Sequence, residues 1–437
     1  MKANLKDFKY KNLTYSYNNN LNKFESNYER DLQLFIIWSK ARTKEEEILQ
    51  DLDQNFNIIA CIDNTWSEKH LDDNFHRIYD VAPTGGKAGK REEVGDGAFV
   101  VVVIEDLEPK YEYRSDASGR FKIVNANVVD KKRLFRKWVG GSYMVHSTDN
   151  LMEFFNNAVL LFGKDTALQL LGQPARNNKC LKTNNDLVGA SGWNSCEELF
   201  EVLNLTTEYV VLRGADKLQD TVKTLSGDVD ILCSNIGEFT AAANAVNIWN
   251  SKNFYHVNVD GKNVLFDIRY VGDGYFDEKW QKDILDKKVM NHEGIYTPRV
   301  DDYFFSHLYH AYVHKPYFYK KYMERLTGLS EKIGIKNFKT EFNNTPTYIL
   351  DMLRGYLAAH NYDASIPNDE KVYLNIKFLS RLKKINYVRL YLRVFKVKVK
   401  GFPEKVLSFI KRLLKKNDTL FNVLFNIRAK FNKLINR

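Results

Sequence analysis

The apolar and polar positions of this chain fall into short runs that predict alternating strands and helices. Residues 32–38, 57–62 and 98–104 are apolar runs of strand length, the last one apolar on both faces. Between them, residues 43–54 predict an acidic helix. Residues 67–80 predict a second helix with Ser67 as its N-cap. Residues 150–162 predict a helix that packs Leu151, Phe154, Phe155, Val159 and Phe162. This order implies a small α+β sandwich over 31–170. Residues 1–30, rich in Asn and Tyr without a period, predict a loose leader. Residues 171–195, rich in Asn, Gly and Lys, predict a connection between domains.

A second pattern begins with a helix capped by Ser195, followed by an apolar strand at 209–212 and the turn Arg213-Gly214-Ala215-Asp216. A polar stretch, 217–226, leads into Gly227-Asp228-Val229-Asp230-Ile231-Leu232. Residues two apart on a strand share a face, so Asp228 and Asp230 point one way while Val229 and Ile231 point the other. Two carboxylates on one face repel unless a cation lies between them. Downstream, the runs 254–259 and 263–268 flank Asp260-Gly261, a strong hairpin signal. The returning strand carries Asp267 and, on the same face, Arg269. Three carboxylates on neighbouring strands form a candidate divalent-metal platform within a domain spanning 196–300.

Over residues 205–270 this layout resembles the nucleotidyltransferase superfamily, which includes DNA polymerase β, kanamycin nucleotidyltransferase and CCA-adding enzymes. The family pattern is an apolar strand, Gly-Gly or Gly-Ser, about ten residues, Asp-x-Asp, and a third carboxylate one hairpin later. Here Gly214-Ala215 stands in the glycine position, with Ala215 where Gly or Ser is usual. The resemblance implies a mixed sheet and Mg2+ (or Mn2+) held by Asp228, Asp230 and Asp267. It also implies a nucleotide donor, an NTP or a CDP-linked molecule. Gly214 would let the backbone approach phosphate, and Arg213, Lys217 and Arg269 are candidate phosphate contacts. Arg269 equally suits a pair with Asp267, and Arg213 and Lys217 equally suit surface charge.

The first domain is similar in order to nucleoside diphosphate kinase, which implies a ferredoxin-like α/β sandwich. The matching stretch is Tyr143-Met144-Val145-His146-Ser147-Thr148-Asp149-Asn150, with His146 at the phospho-accepting position. Tyr143 replaces the family's Asn, and Trp38-Ser39-Lys40-Ala41 replaces Lys-Pro-Asp-Gly. His146 is therefore open to a bland reading as a neighbour of a helix N-terminus. Arg133, Arg136 and Lys137 suit an anionic ligand nearby. Residues 83–97, rich in Gly and Lys, lack a phosphate-loop signature and read as a mobile insertion.

Residues 301–370 predict a helical region. His307, His310 and His314 share one helix face there, in an aromatic stretch that reads as core packing rather than a zinc site. Lys315, before Pro316, is a further candidate phosphate contact. Residues 371–437 carry nineteen Lys and Arg against Glu404 and Asp418, a net of +17. The chain's total of +10 therefore leaves −7 on the first 370 residues. Residues 402–416 and 420–435 predict basic amphipathic helices. Such helices suit an anionic membrane surface, with a docked cap or nucleic acid as less favoured alternatives.

Four cysteines, Cys61, Cys180, Cys196 and Cys233, lie apart without metal spacing, which suits a reducing compartment. No run reaches 18 apolar residues, and the first residues lack the apolar core of a secretory signal. The sequence therefore predicts an α+β protein on the cytoplasmic, inner face of a membrane. Its expected activity is metal-dependent transfer of a nucleotidyl or phospho-substituent to a glycan or lipid-linked acceptor, as in surface polysaccharide synthesis. Fukutin-type phosphocholine transferases, which resemble nucleotidyltransferases in fold, support that acceptor class by analogy. The alternatives are transfer to RNA or protein, and an inactive membrane-recruited scaffold that binds nucleotide.

Overall fold

The leader expected to be loose holds two strands, β1 (Tyr15–Asn18) and β2 (Lys23–Ser26), paired antiparallel with Tyr15 opposite Ser26. Tyr15 and Tyr17 alternate with polar residues in β1, a pattern that favours an extended backbone. The computed structural model describes residues 15–18, 23–26, 30–84, 88–115, 121–141, 143–172, 180–248, 251–335, 338 and 347–383. It divides into two compact units, 1–303 and 304–437.

In the first unit, β3 (Asp31–Ile37) is buried along its whole length. After a 3-10 turn come α1 (Glu45–Asn55), β4 (Asn57–Asn64), α2 (Leu71–Ile78), α3 (Gly89–Val94) and β5 (Phe99–Asp106). The hairpin β6 (Tyr111–Ser115) and β7 (Phe121–Asn125) joins β1 and β2 in a four-stranded sheet. Then follow α4 (Ala126–Val139), β8 (Val145–Ser147), α5 (Leu151–Phe162), α6 (Lys164–Gly172) and β9 (Leu181–Thr183). The main sheet has the order β8-β3-β5-β4-β9, antiparallel except for the parallel β4–β9 pair.

Both faces of this sheet are covered, which explains the unbroken apolar run in β5. Phe35, Val100 and Val102 face Ile48, Leu52, Val128 and Phe135. Leu34, Ile36, Val101 and Val103 face Phe75, Phe154 and Phe155. The second of these clusters continues through Trp193 and Phe200 into Val211, Ile231, Val257 and Phe266 of the next sheet. Within residues 180–195, Leu187 and Trp193 enter this core, each 2% exposed, and the other residues are half-buried or exposed.

Two local expectations give way to contacts distant in sequence. Ser67 does not cap α2, whose first residue is Leu71. Its N–H and Oγ donate instead to Asp186, at 2.9 and 2.7 Å. Cys61 and Cys180, whose separation in sequence suits a reducing compartment, instead form a disulfide across 119 residues. The β4–β9 register places Ile62 beside Leu181, which sets the two cysteines side by side, with Cα atoms 4.4 Å apart.

The unit continues with α7 (Cys196–Thr206), β10 (Tyr209–Arg213), α8 (Leu218–Thr224), β11 (Val229–Cys233) and α9 (Ile236–Ala243). Next are β12 (Val246–Asn247), β13 (Phe254–Val259), β14 (Lys262–Tyr270), α10 (Glu278–Asp286) and the pair β15 (Val289–Met290) and β16 (Tyr296–Thr297). Ser195 caps α7, accepting from the Glu198 N–H. The second sheet is mixed, in the order β10-β11-β14-β13-β12.

The second unit takes in most of α11 (Val300–Val313), with α12 (Lys320–Lys332), α13 (Thr347–His360) and α14 (Ile376–Leu382). The basic helices expected at 402–416 and 420–435 lie outside the described residues. Among the described residues, no helix is long and apolar enough to cross a membrane.

Candidate metal centre

Strand β10 turns at Gly214, whose φ of +78° favours glycine. A Cβ there would meet no atom within 4 Å, so conformation rather than crowding selects the residue. The chain returns through α8 and Gly227 to Asp228 and β11. Val229 and Ile231 enter the core, and Asp228 and Asp230 take the opposite face. Parallel pairing of β11 with β14 sets Asp230 beside Asp267, with Phe266 and Ile268 in the same core as Val229. One oxygen from each of Asp228, Asp230 and Asp267 lies within 4.8 Å of the others. Among the described residues this is the one group of three or more His, Cys, Asp or Glu side chains that converges so closely.

Two arginines complete the cluster. Arg213 Nε donates to Asp230 Oδ2 at 3.0 Å, and its Nη2 donates to Oδ1. Arg269 Nη2 donates to Asp267 Oδ2 at 2.9 Å. Arg269 thus takes the ion-pair alternative left open by its spacing, whereas Arg213, 8% exposed and paired with Asp230, is not the surface charge that its alternative reading gave. Three carboxylates and two guanidiniums give these five side chains a formal charge of −1. Burial and the charge of Asp230 push the Asp267 carboxyl up to about 6, against the pull of Arg269. Asp267 is 8% exposed, and its Oδ1 also lies 2.9 Å from Arg269 Nη2.

Those features suit a hard divalent cation. The three donors are all carboxylate oxygens, the ligands that Mg2+ and Mn2+ favour. Oxygens bound to one Mg2+ stand roughly 3 Å apart at right angles and roughly 4 Å apart across the ion, since each bond is about 2.1 Å. A separation of up to 4.8 Å therefore requires the carboxylates to draw together around the cation.

A further element was not legible as part of the site. The loop Gly272-Asp273-Gly274 follows β14, and Asp273 accepts from the Tyr275 N–H at 2.8 Å and from Gln281 Nε2 at 2.7 Å. This fixes Tyr275, whose ring lies 4.6 Å from the Arg269 guanidinium. Gly-Asp-Gly after a strand is a turn signal, but nothing in the spacing ties it to Arg269.

The remaining sequence candidates lie elsewhere or play smaller parts. Lys217 is exposed in the turn after Gly214, its N–H bonded to the Gly214 carbonyl at 3.0 Å. Lys315 belongs to the second unit, just after α11. His146 lies in the first sheet on β8, 6% exposed, with Nε2 3.2 Å from Asn157 Nδ2 and its ring against Tyr79. Burial holds its pKa well below the ordinary value. The phospho-accepting role would require that enclosed ring to be exposed. His307, His310 and His314 are buried among tyrosines, with His310 Nε2 3.3 Å from Tyr322 Oη.

Comparison with protein-family models, curated proteins and solved structures finds no match to this chain.

Proposed function

We propose that this protein is a divalent-metal-dependent transferase that moves a nucleotidyl or substituted-phosphate group from a nucleotide donor to a hydroxyl acceptor. The observation that carries this reading is the convergence of Asp228, Asp230 and Asp267 within 4.8 Å on two parallel, adjacent strands. The mixed sheet and the left-handed turn at Gly214 support a nucleotidyltransferase-like arrangement around them. The β8-β3-β5-β4 order supports a ferredoxin-like first lobe.

Asp228, Asp230 and Asp267 would hold the cation. A bound divalent ion supplies charge neutralisation for phosphate and lowers the pKa of a coordinated hydroxyl. The chain's own part is positional. Arg213 orients Asp230, Arg269 orients Asp267, and Tyr275 braces Arg269 from its ring face. Gly214 presents backbone without a side chain at the open end of β10.

For the acceptor, the +17 charge of residues 371–437 favours a glycan or lipid-linked molecule at an anionic membrane surface. Calorimetric titration with Mg2+ and a panel of NTP and CDP-linked donors tests the core reading. Metal-dependent nucleotide binding that is lost in Asp228→Ala is expected, and absence of nucleotide binding by the wild-type chain would overturn it. Co-sedimentation with anionic vesicles tests the acceptor surface. Removing residues 384–437 should abolish binding, and undiminished binding would refute the membrane assignment.

A further inference from the structure

Residues 83–97, which resemble no phosphate loop in sequence, contribute to a separate feature of the first unit. A cavity of about 400 Å³ is bounded by Phe75, Tyr79, Lys90, Glu93 and Tyr143. Lys90, on α3, places Nζ 3.2 Å from the Tyr79 ring centroid and 5.1 Å from that of Tyr143. Among the described residues, no hydrogen bond or ion pair reaches this ammonium. Tyr79 is a fixed inner wall, since its hydroxyl accepts from the Trp38 indole N–H at 3.0 Å and its ring packs on His146. Tyr143 is the outer wall, 41% exposed.

The charges around this cavity are unbalanced. Arg136 is close enough to oppose the charge on Lys90, and Glu93 is the carboxylate that favours it. Asp149, the other acid near His146, is already ion-paired with Lys122 and Lys132. Cation–π contact with tyrosine provides about 0.5–2 kcal/mol. A hydrogen bond to a charged group provides roughly 1.5–3 kcal/mol. An incoming anion therefore competes well for the Lys90 ammonium.

The structure assigns this cavity as a binding site for a small anion with a flat apolar part, in which Lys90 is the charge partner and Tyr79 and Tyr143 are the faces. A phosphate monoester or a carboxylate supplies that anion. The site is independent of the three aspartates and does not rest on the transferase reading.

Pyridoxal 5'-phosphate is a suitable probe because it joins a phosphate monoester, an aromatic ring and an aldehyde. The neutral fraction of Lys90 adds to the aldehyde and loses water to give an imine, hydride from cyanoborohydride reduces that imine to a stable secondary amine, and the ammonium that pairs with phosphate does not react. Peptide mapping of the full chain should find Lys90 modified about tenfold more than exposed lysines such as Lys282 at pH 7.5. Half-burial beside Arg136 lowers the Lys90 pKa to about 8 and raises its share of neutral amine. Inorganic phosphate should suppress labelling of Lys90 saturably and leave Lys282 unchanged. Tyr143→Ala, at an exposed position where the fold is spared, should weaken labelling about threefold or more through loss of ring stacking. The assignment is overturned if Lys90 labels no faster than Lys282. It is equally overturned if phosphate does not protect Lys90, or if Tyr143→Ala labels like the wild type.

Discussion

Replacing Asp267 with Asn separates a metal ligand from a structural ion-pair partner. The folded protein holds this carboxyl at about 6, against an ordinary value of 3.8. The raised value means that the fold favours the neutral form. That contribution to stability is fully present below the unfolded value and is lost as pH rises through about 6. A displacement of about two units corresponds to about 3 kcal/mol of destabilisation at pH 8. Asn mimics the neutral form and keeps an oxygen for Arg269 Nη2. Arg269 also retains the face of Tyr275. Asp267→Asn should therefore raise the stability of the metal-free protein at pH 8 by up to about 3 kcal/mol, with little effect at pH 4.

Divalent metal should have the reverse effect. A cation bound by the ionised carboxyl stabilises the wild type by about 1.4 kcal/mol at a tenfold excess over its Kd. That gain should fade as pH falls below about 6, and Asp267→Asn should not show it. Urea denaturation of both proteins from pH 4 to 8, with and without MgCl2, measures all four quantities. A variant less stable than the wild type at pH 8 without metal would refute the linkage argument. Equal stabilisation of both proteins by Mg2+ would refute the ligand assignment.

Three further perturbations act on other buried or strained positions. Burial pushes Asp31 up to about 7. Asp31→Asn should thus be more stable than the wild type at pH 8 by up to about 4 kcal/mol, with the gain disappearing near pH 4, read from urea midpoints. Gly214→Ala should lose about 1–2 kcal/mol from its left-handed backbone alone. A much larger loss of nucleotide affinity in that variant, measured by calorimetry, would place ligand against this turn. Thiol titration of unreduced, denatured protein should count two thiols, Cys196 and Cys233, and reduction should lower stability by roughly 4–5 kcal/mol for a 119-residue separation.

What was legible in the sequence was set by local chemistry. Asp260-Gly261 gave its hairpin because two residues with φ of +53° and +69° close Val259 onto Lys262. Ser195 gave its cap because the donor, the Glu198 N–H, is three residues away. Ser67 has the same chemistry, but Asp186, distant in sequence, engages it. The hairpin at Tyr111–Ser115 and Phe121–Asn125 was missed although Tyr111 and Tyr113, and Phe121 and Ile123, alternate with polar residues, because each run is only five residues long and Tyr113 and Phe121 are exposed. The carboxylate face was legible from alternation alone. The pairing of Arg213 with Asp230 was less so, since it depends on an irregularity in register between Val211 and Arg213.

Buried charge in this fold is of two kinds, and the difference bears on function. Arg77 is fully buried, yet Nε donates to the Ala241 carbonyl at 2.7 Å and Nη2 to that of Val188 at 2.6 Å. Those bonds tie α2 to the helix and loop beside the second sheet, so the cation stabilises the architecture itself. Asp267 and Lys90 differ from it. Asp267 is buried and Lys90 half-buried, and each has a neighbour of like charge, Asp230 or Arg136, that opposes its ionisation. Selection for stability alone would favour a neutral side chain at both positions, because replacing a buried ion is often neutral or favourable. On the proposed readings, a cation for the aspartates and an anion for the lysine would account for charge retained under those conditions.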